Sequence, residues 1–463
     1  MASRRSIRTI ALTGAALGAI GFTTIEAQAG PGGFLVHEQS AYFQGTSFAG
    51  AAAGGPALSA MFWNPATITQ HGPGLSSETN ATAIFANTDI IPISATIGAT
   101  NLVPLGRSGD IGKDAFVPAS YYVYGLTDRL WFGLALNSPF GLRTQPNPVW
   151  AGMFYSRESE VFSLNANPTI AFKVTDWLSI GAGAQIQYLK IKLHSAFPGS
   201  GTFPPFGPLA PDPLRIDGDS NTFGFGFTAG VTITPTPWTM IGLGYRSRID
   251  QDIEGDVFRP PLLFGAVPFA FVNFTATVPL PDIATASIRQ KITESFTLLG
   301  TVEWQNWSRL GRIPVTISAP GLPFGVVPLG VPTELAFEWR DGWLVSVGAE
   351  YQWSPKLLLR GGVAFERSPV DDRTRGTRLP DNDRIWLSAG GTYNWNERLS
   401  LELAYSHIFI DETPINIVPG NPTFNPALGT FVGTANAQVD IISVALRYRW
   451  APAPAAAPLI TKG

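Results

Sequence analysis

Hydrolysis by a side-chain nucleophile needs a Ser, Cys or Thr within reach of a base. In this 463-residue chain the candidate bases are few: His37, His71, His194 and His407 are its only histidines, and it has no cysteine. Ser406 and His407 are neighbours in sequence, and on a strand neighbours point to opposite faces. They therefore cannot act together as nucleophile and base without a local distortion. No His-Glu-x-x-His zinc motif and no glycine-rich phosphate loop is present. Without cysteine there is no thiolate, disulfide framework or Cys-ligated metal site. The sequence thus predicts no enzyme, no metal and no cofactor. With 31 Lys+Arg against 34 Asp+Glu and no basic run, it offers no field for nucleic acid.

The composition points elsewhere. Charged residues make up 14% of the chain, against roughly 25% in an ordinary soluble domain. Hydrophobic residues reach 45%, and 49 Gly and 39 Pro break them up. This is apolar material rich in turn-formers, which excludes disorder. Arg4, Arg5 and Arg8 precede an apolar run over residues 10–22, and Ala27-Gln28-Ala29 supplies a small-x-small cleavage pattern. Residues 1–29 read as a secretory signal, with the mature chain starting at Gly30. No later stretch provides the ~20 uninterrupted apolar residues of a spanning helix. The longest uncharged stretch, residues 39–77, is broken by Gly45, Gly50, Gly54, Gly55, Pro56, Pro65, Gly72 and Pro73. An exported, apolar chain of this kind is a secreted β-protein or an outer-membrane barrel.

Periodicity favours the barrel. Leu178, Ile180, Ala182, Ala184, Ile186 and Tyr188 alternate with Ser179, Gly181, Gly183, Gln185 and Gln187. Trp343, Val345, Val347, Ala349, Tyr351 and Trp353, and again Ile442, Val444, Leu446, Tyr448 and Trp450, repeat the pattern. One face is apolar, the other polar or small, and aromatics close the apolar face at its ends, as in a lipid-facing band with interfacial girdles. Six short connections, near Asp128, Thr175, Pro235, Ile292, Ser354 and Trp395, alternate with seven long ones. That arrangement joins fourteen antiparallel strands into one transmembrane β-barrel over residues 74–450, with short periplasmic turns and long outer loops. Residues 30–73 lack the alternation, and Phe34, Tyr42, Phe43, Phe48, Met61, Phe62 and Trp63 favour burial, so this segment is expected to plug the barrel. The third strand alternates from Leu130 until Asn137-Ser138-Pro139-Phe140-Gly141, where a proline that cannot donate and a following glycine mark either a lateral break or the strand's end.

These residues resemble the FadL family of outer-membrane transporters of long-chain fatty acids and other hydrophobic compounds, including aromatic hydrocarbons. The resemblance spans the mature chain. It is carried by Gly33-Phe34, by Asn64-Pro65-Ala66, by residues 343–351, by Arg360-Gly361-Gly362 with Ser368-Pro369-Val370, and by Leu379-Pro380-Asp381 leading into residues 386–390. It implies a fourteen-stranded barrel with an N-terminal hatch containing Asn64, Pro65 and Ala66, capture by outer loops, and release into the membrane through a break in strand three, where residues 137–141 fall. It also suggests a monomer in the bacterial outer membrane, with outer-membrane lipid around it. Residues 451–463, beyond Trp450, are an extension relative to the family pattern.

A hydrophobic small-molecule ligand fits the apolar outer loops, whose Phe203, Phe206, Leu262, Leu263, Phe264 and Phe269 are candidate capture residues. A fatty carboxylate would favour a luminal cation. Strand parity turns Arg246, Arg248 and Arg340 inward as possible anchors, with Glu303 and Glu350 as the carboxylates that could otherwise engage them. An aromatic hydrocarbon would need none. The principal alternative is a passive porin for small polar solutes, which would have an open lumen.

Overall fold

The computed structural model describes residues 32–198, 213–220, 222–260, 269–318 and 332–450. The expected signal, the 451–463 extension and the capture residues Phe203, Phe206, Leu262, Leu263 and Phe264 lie outside the described residues.

Fourteen antiparallel strands form the wall. They are β1 (Gly74–Ile97), β2 (Ala115–Gly125), β3 (Leu130–Asn137, resuming as Gly141–Thr144), β4 (Glu158–Lys173) and β5 (Leu178–Ala196). Next come β6 (Pro213–Asp219 and Gly224–Thr236), β7 (Thr239–Arg246 and Ile249–Arg259), β8 (Ala270–Leu280 and Ile283–Lys291) and β9 (Phe296–Gln305). The last are β10 (Gly342–Ser354), β11 (Leu357–Arg367), β12 (Arg384–Asn394), β13 (Leu399–Ile410) and β14 (Thr430–Arg449). Each pairs with its neighbour in sequence, and β14 closes on β1 from Ser76↔Arg449 to Thr96↔Thr430. Closure leaves no sheet edge, which is what allows a sheet to sit in lipid at all. The short turns fall where expected, between β2 and β3 and at every second connection after it.

The dyad sorts residues as the pattern requires. On β14, Ile442, Val444 and Leu446 are exposed while Ser443 between them is buried. On β10, Trp343, Val345 and Val347 are exposed and Leu344, Ser346 and Glu350 buried. Trp177, Trp238, Trp353 and Trp395 stand exposed beside the short turns, the position of an interfacial girdle.

Residues 34–68 are buried almost throughout, in a short helix at Ala41–Gln44 and 3-10 turns at Ala51–Ala53, Leu58–Phe62 and Pro65–Gln70. The surrounding wall makes room with glycine. A Cβ on Gly242 would run into the backbone of Ala52, one on Gly244 into Trp63, and one on Gly362 into Thr46. Those glycines sit on β7 and β11, so the segment is gripped from well-separated parts of the wall.

Candidate functional site

One interruption of the wall lies between β2 and β3, where the start of the N-terminal segment meets it. The β2–β3 ladder runs from Gly125↔Trp131 to Ser120↔Leu136 and ends there. When β3 resumes, Gly141–Thr144 pairs with β4, from Gly141↔Phe162 to Thr144↔Ser159. Residues 115–119 of β2 thus retain their β1 partners, Ile84 to Asn80, but have lost their neighbours on the other side. The cause is local. Pro139 has no N–H for a ladder, and Pro118 on the facing stretch brings none either. The sequence reading left residues 137–141 open between a break and a strand end; a break with resumption is what the chain adopts.

The displaced backbone turns inward and finds other partners. Leu35 and Phe140 form an antiparallel bridge. Val36 N donates to Pro139 O at 2.8 Å, and Gly141 N donates to Phe34 O at 2.9 Å. Gln39 Nε2 donates to Ser138 O at 2.8 Å, and Phe140 N donates to Ser163 Oγ at 2.8 Å. Buried backbone groups left unpaired would each cost on the order of 1–3 kcal/mol, so the start of the N-terminal segment supplies what β2 does not.

Aromatic rings pack above this junction. Phe34 lies 4.7 Å from Trp307, 5.8 Å from Trp339 and 6.1 Å from Phe140, centroid to centroid. Gly33, at φ +66°, passes so close to Trp339 and Trp307 that a side chain there would be strained and crowded. Leu142, Val161, Ile249, Leu280, Ile283 and Leu310 extend the same apolar cluster into the outer half of the lumen. Neither tryptophan was singled out by the sequence reading, because loop residues carry no periodic signal. Asp381, within the Leu379-Pro380-Asp381 motif, fixes the segment's start: its Oδ2 accepts from Gly33 N at 3.1 Å and its Oδ1 from Arg384 Nη2 at 2.6 Å.

Deeper in the lumen the contacts become polar. His37 Nε2 lies 2.9 Å from Glu303 Oε1. Burial pulls this imidazole down, but Glu366 and Glu303 outweigh burial and raise its pKa to about 9. Tyr42 donates to Glu350 at 2.5 Å, Arg289 pairs with the same carboxylate, and Arg360 stacks 4.0 Å over the Tyr42 ring. Asn64 serves both halves of its turn: its Oδ1 accepts from Ala66 N at 2.9 Å, and its Nδ2 donates to Ala52 O at 2.7 Å and Val231 O at 2.9 Å. Pro65 follows at the first position of the turn, where its missing N–H costs nothing.

The three candidate anchors separate. Arg246 is buried, donating through Nη2 to Gln185 Oε1 at 2.6 Å and through Nη1 to Phe62 O at 3.0 Å, with its guanidinium 4.3 Å over the Phe62 ring. No carboxylate reaches ion-pair distance of it among the described residues. It shares a small cavity with Phe140, Gln185 and Ser247. Arg248 does not face inward: its side chain is half exposed, 3.5 Å from Asp250, because the strand is interrupted after Arg246 and the alternation restarts at Ile249. Arg340 lies outside any strand, just before β10, where Nε donates to Ser368 O at 3.0 Å and Nη2 is 3.4 Å from Asp383. Glu303 and Glu350 engage none of the three, being taken by His37 and Arg289. Phe269 is exposed and stacks on Phe258 at 6.2 Å. Ser406 is buried in the lumen, while His407 points outward to Asp440.

Residues 22–450 match the model of the outer membrane protein transport family described as OMPP1/FadL/TodX. The chain is 25% identical over 433 residues to the long-chain fatty acid transport protein of Escherichia coli K12, covering 87% of this chain and 93% of that one. It is 24% identical over 390 residues to outer membrane protein P1 of Haemophilus influenzae, covering 76% and 78%. Among solved structures it superposes on a Pseudomonas aeruginosa FadL homologue with a TM-score of 0.77 at 22% identity, covering 90% and 99%. On the Ralstonia pickettii toluene transporter TbuX the TM-score is 0.62 at 18% identity, covering 89% and 100%.

Proposed function

The chain belongs to the outer membrane transport protein family of FadL and TodX, and from that membership we propose a route by which this outer-membrane transporter moves a hydrophobic compound. Outer loops, Phe269 among their residues, capture the ligand and pass it to the apolar cluster around Trp307, Trp339 and Phe34. A fatty chain gains ~0.8 kcal/mol per buried CH₂, on the order of 10 kcal/mol gross, enough for capture without an energy source. Residues 30–73 act as a hatch, with Phe34, Asn64, Pro65 and Ala66 its key positions. When the hatch start withdraws from Asn137, Ser138, Pro139, Phe140 and Gly141, the gap beside residues 115–119 opens sideways into lipid. The ligand leaves down its own partition gradient and never returns to water.

The observation that carries this reading is the Leu35↔Phe140 bridge: the segment filling the lumen is also the segment completing the broken wall. A passive porin has no use for that coupling. Paired residues in such a bridge stand ~4.5–5.5 Å apart, within disulfide reach, and the chain has no native cysteine to interfere. In cells lacking other transporters, oxidised Leu35→Cys/Phe140→Cys protein is expected to stop uptake of labelled oleate, with reductant restoring it. Uptake indifferent to the cross-link would defeat the lateral route.

Arg246 favours a ligand bearing a carboxylate. A buried cation satisfied only by neutral acceptors retains its charge for an incoming anion, and it stands beside Phe140 at the gap. A charge-assisted hydrogen bond contributes about 1.5–3 kcal/mol. Arg246→Gln should therefore weaken oleate binding roughly tenfold or more and leave toluene binding unchanged. Equal loss for both compounds would favour an aromatic hydrocarbon.

A further inference from the structure

The periplasmic end of the lumen holds a cavity of about 610 Å³, far from the gap in β3. One wall is the end of the N-terminal segment, including Leu58, Gln70, His71 and Gly72; the other is the base of β10–β14 and the start of β1. Its charge is one-sided: Lys356, Arg398, Arg447 and Arg449 line it against a single carboxylate, Glu397. That contrasts with Arg289 and Arg384 elsewhere in the lumen, which meet Glu350 and Asp381. Arg447 reaches Glu402 at 3.4 Å, but Glu402 also lies 3.6 Å from the buried Arg360, so one carboxylate is divided between two guanidiniums. Among the described residues no acidic side chain forms an ion pair with Lys356, Arg398 or Arg449.

Burial beside Arg447 and Arg449 pushes the His71 pKa down to about 3, leaving the imidazole neutral. The Arg449 guanidinium, though exposed, lies where a Cβ on Gly72 would stand, so the glycine leaves room for the cation against the end of the N-terminal segment. In a chain of net charge −3, four cations gathered from two turns and one strand end are a concentrated exception. Like charges held together repel, and an anion between them removes that cost.

We propose that this vestibule binds a small soluble polyanion, bearing carboxylate or phosphate groups, from the periplasmic side. Its walls are polar apart from Pro56, Leu58 and Pro355, so it is unsuited to an acyl tail. On β14, Arg447 and Arg449 alternate with the outward Leu446 and with Tyr448, and both line the cavity. The site does not depend on the transport route above, and a failure of either leaves the other standing.

The test is calorimetric titration of the purified full-length barrel in neutral detergent with citrate and, separately, inorganic pyrophosphate. The expected result is saturable binding of both, weakened about tenfold or more in Arg398→Gln/Arg449→Gln, a loss equivalent to about one charge-assisted hydrogen bond or more. Lys356→Gln, at an exposed turn and harmless to folding, should weaken it in the same direction. Arg129→Gln, in a different periplasmic turn, should not. Absence of saturable binding, affinity unmoved by the vestibule variants, or equal loss in Arg129→Gln would each overturn the proposal. So would binding of a short-chain phosphatidylglycerol with neither soluble anion bound, which would assign the cations to headgroups instead.

Discussion

β14 and β3 are both wall strands of one barrel, built of the same alternating residue types, yet they differ in how their backbone groups are satisfied. β14 runs for 20 residues and pairs with β1 along nearly its whole length, with one register shift opposite Pro92 and Ser94. β3 runs for eight residues, breaks at Pro139, and borrows three residues of the luminal segment before resuming. A ladder made only of wall strands can part only by exposing unpaired N–H and C=O groups to hydrocarbon, at several kcal/mol each. A ladder completed by a separate luminal segment can part where that segment moves. The contrast teaches that a break in a barrel wall can be closed by hydrogen bonds from a second segment, and on the proposed route it is that segment, rather than a weak strand, that serves as the gate.

Restoring the wall should break the contrast most strongly. Pro139→Val with Gly141→Val supplies a backbone donor and two strand-formers, so β3 can continue along β2. Uptake of labelled oleate is expected to fall at least tenfold, while binding to the purified barrel persists; full uptake would show that the break is not the exit. On the other strand the same logic predicts a pure stability effect. Ile442→Arg places a charge on the lipid face of β14, at a cost of about 2–4 kcal/mol near the midplane. Urea unfolding should register that loss, and uptake per folded barrel should stay unchanged. A transport defect there would mean that β14 is more than wall.

The smallest expected effect sharpens the role of the luminal segment itself. Asn64→Ala removes a turn cap and two tethers, to Ala52 and Val231, which should cost about 1–2 kcal/mol. Deuterium exchange should quicken at residues 64–70 and remain slow in β14. Unchanged exchange at those amides would mean that the wall glycines alone hold the segment.

The wall was largely legible in the sequence because a strand in a barrel has only two faces. Ile442, Val444 and Leu446 could be placed outside, and Ser443 and Glu350 inside, from parity alone. Parity failed where its premise failed. Arg248 follows an interruption after Arg246 and faces outward, and Arg340 lies before its strand begins, where parity says nothing of its direction. Partners were not legible either: Glu303 and Glu350 were correctly read as luminal, but whether they meet an Arg, a His or a Tyr depends on how residues 34–44 lie in the lumen.

By itself, then, the sequence determined what is local and periodic: strand alternation, turn lengths, the donor missing at Pro139 and the Asn64-Pro65 turn. Each follows from the chemistry of a few adjacent residues. Tertiary structure alone decided that the luminal segment completes β3, that Trp307 and Trp339 close over Phe34, that Arg246 meets only neutral acceptors among the described residues, and that Lys356, Arg398, Arg447 and Arg449 share one cavity. Those residues are tens to hundreds of positions apart, and only barrel closure brings them within reach of one another.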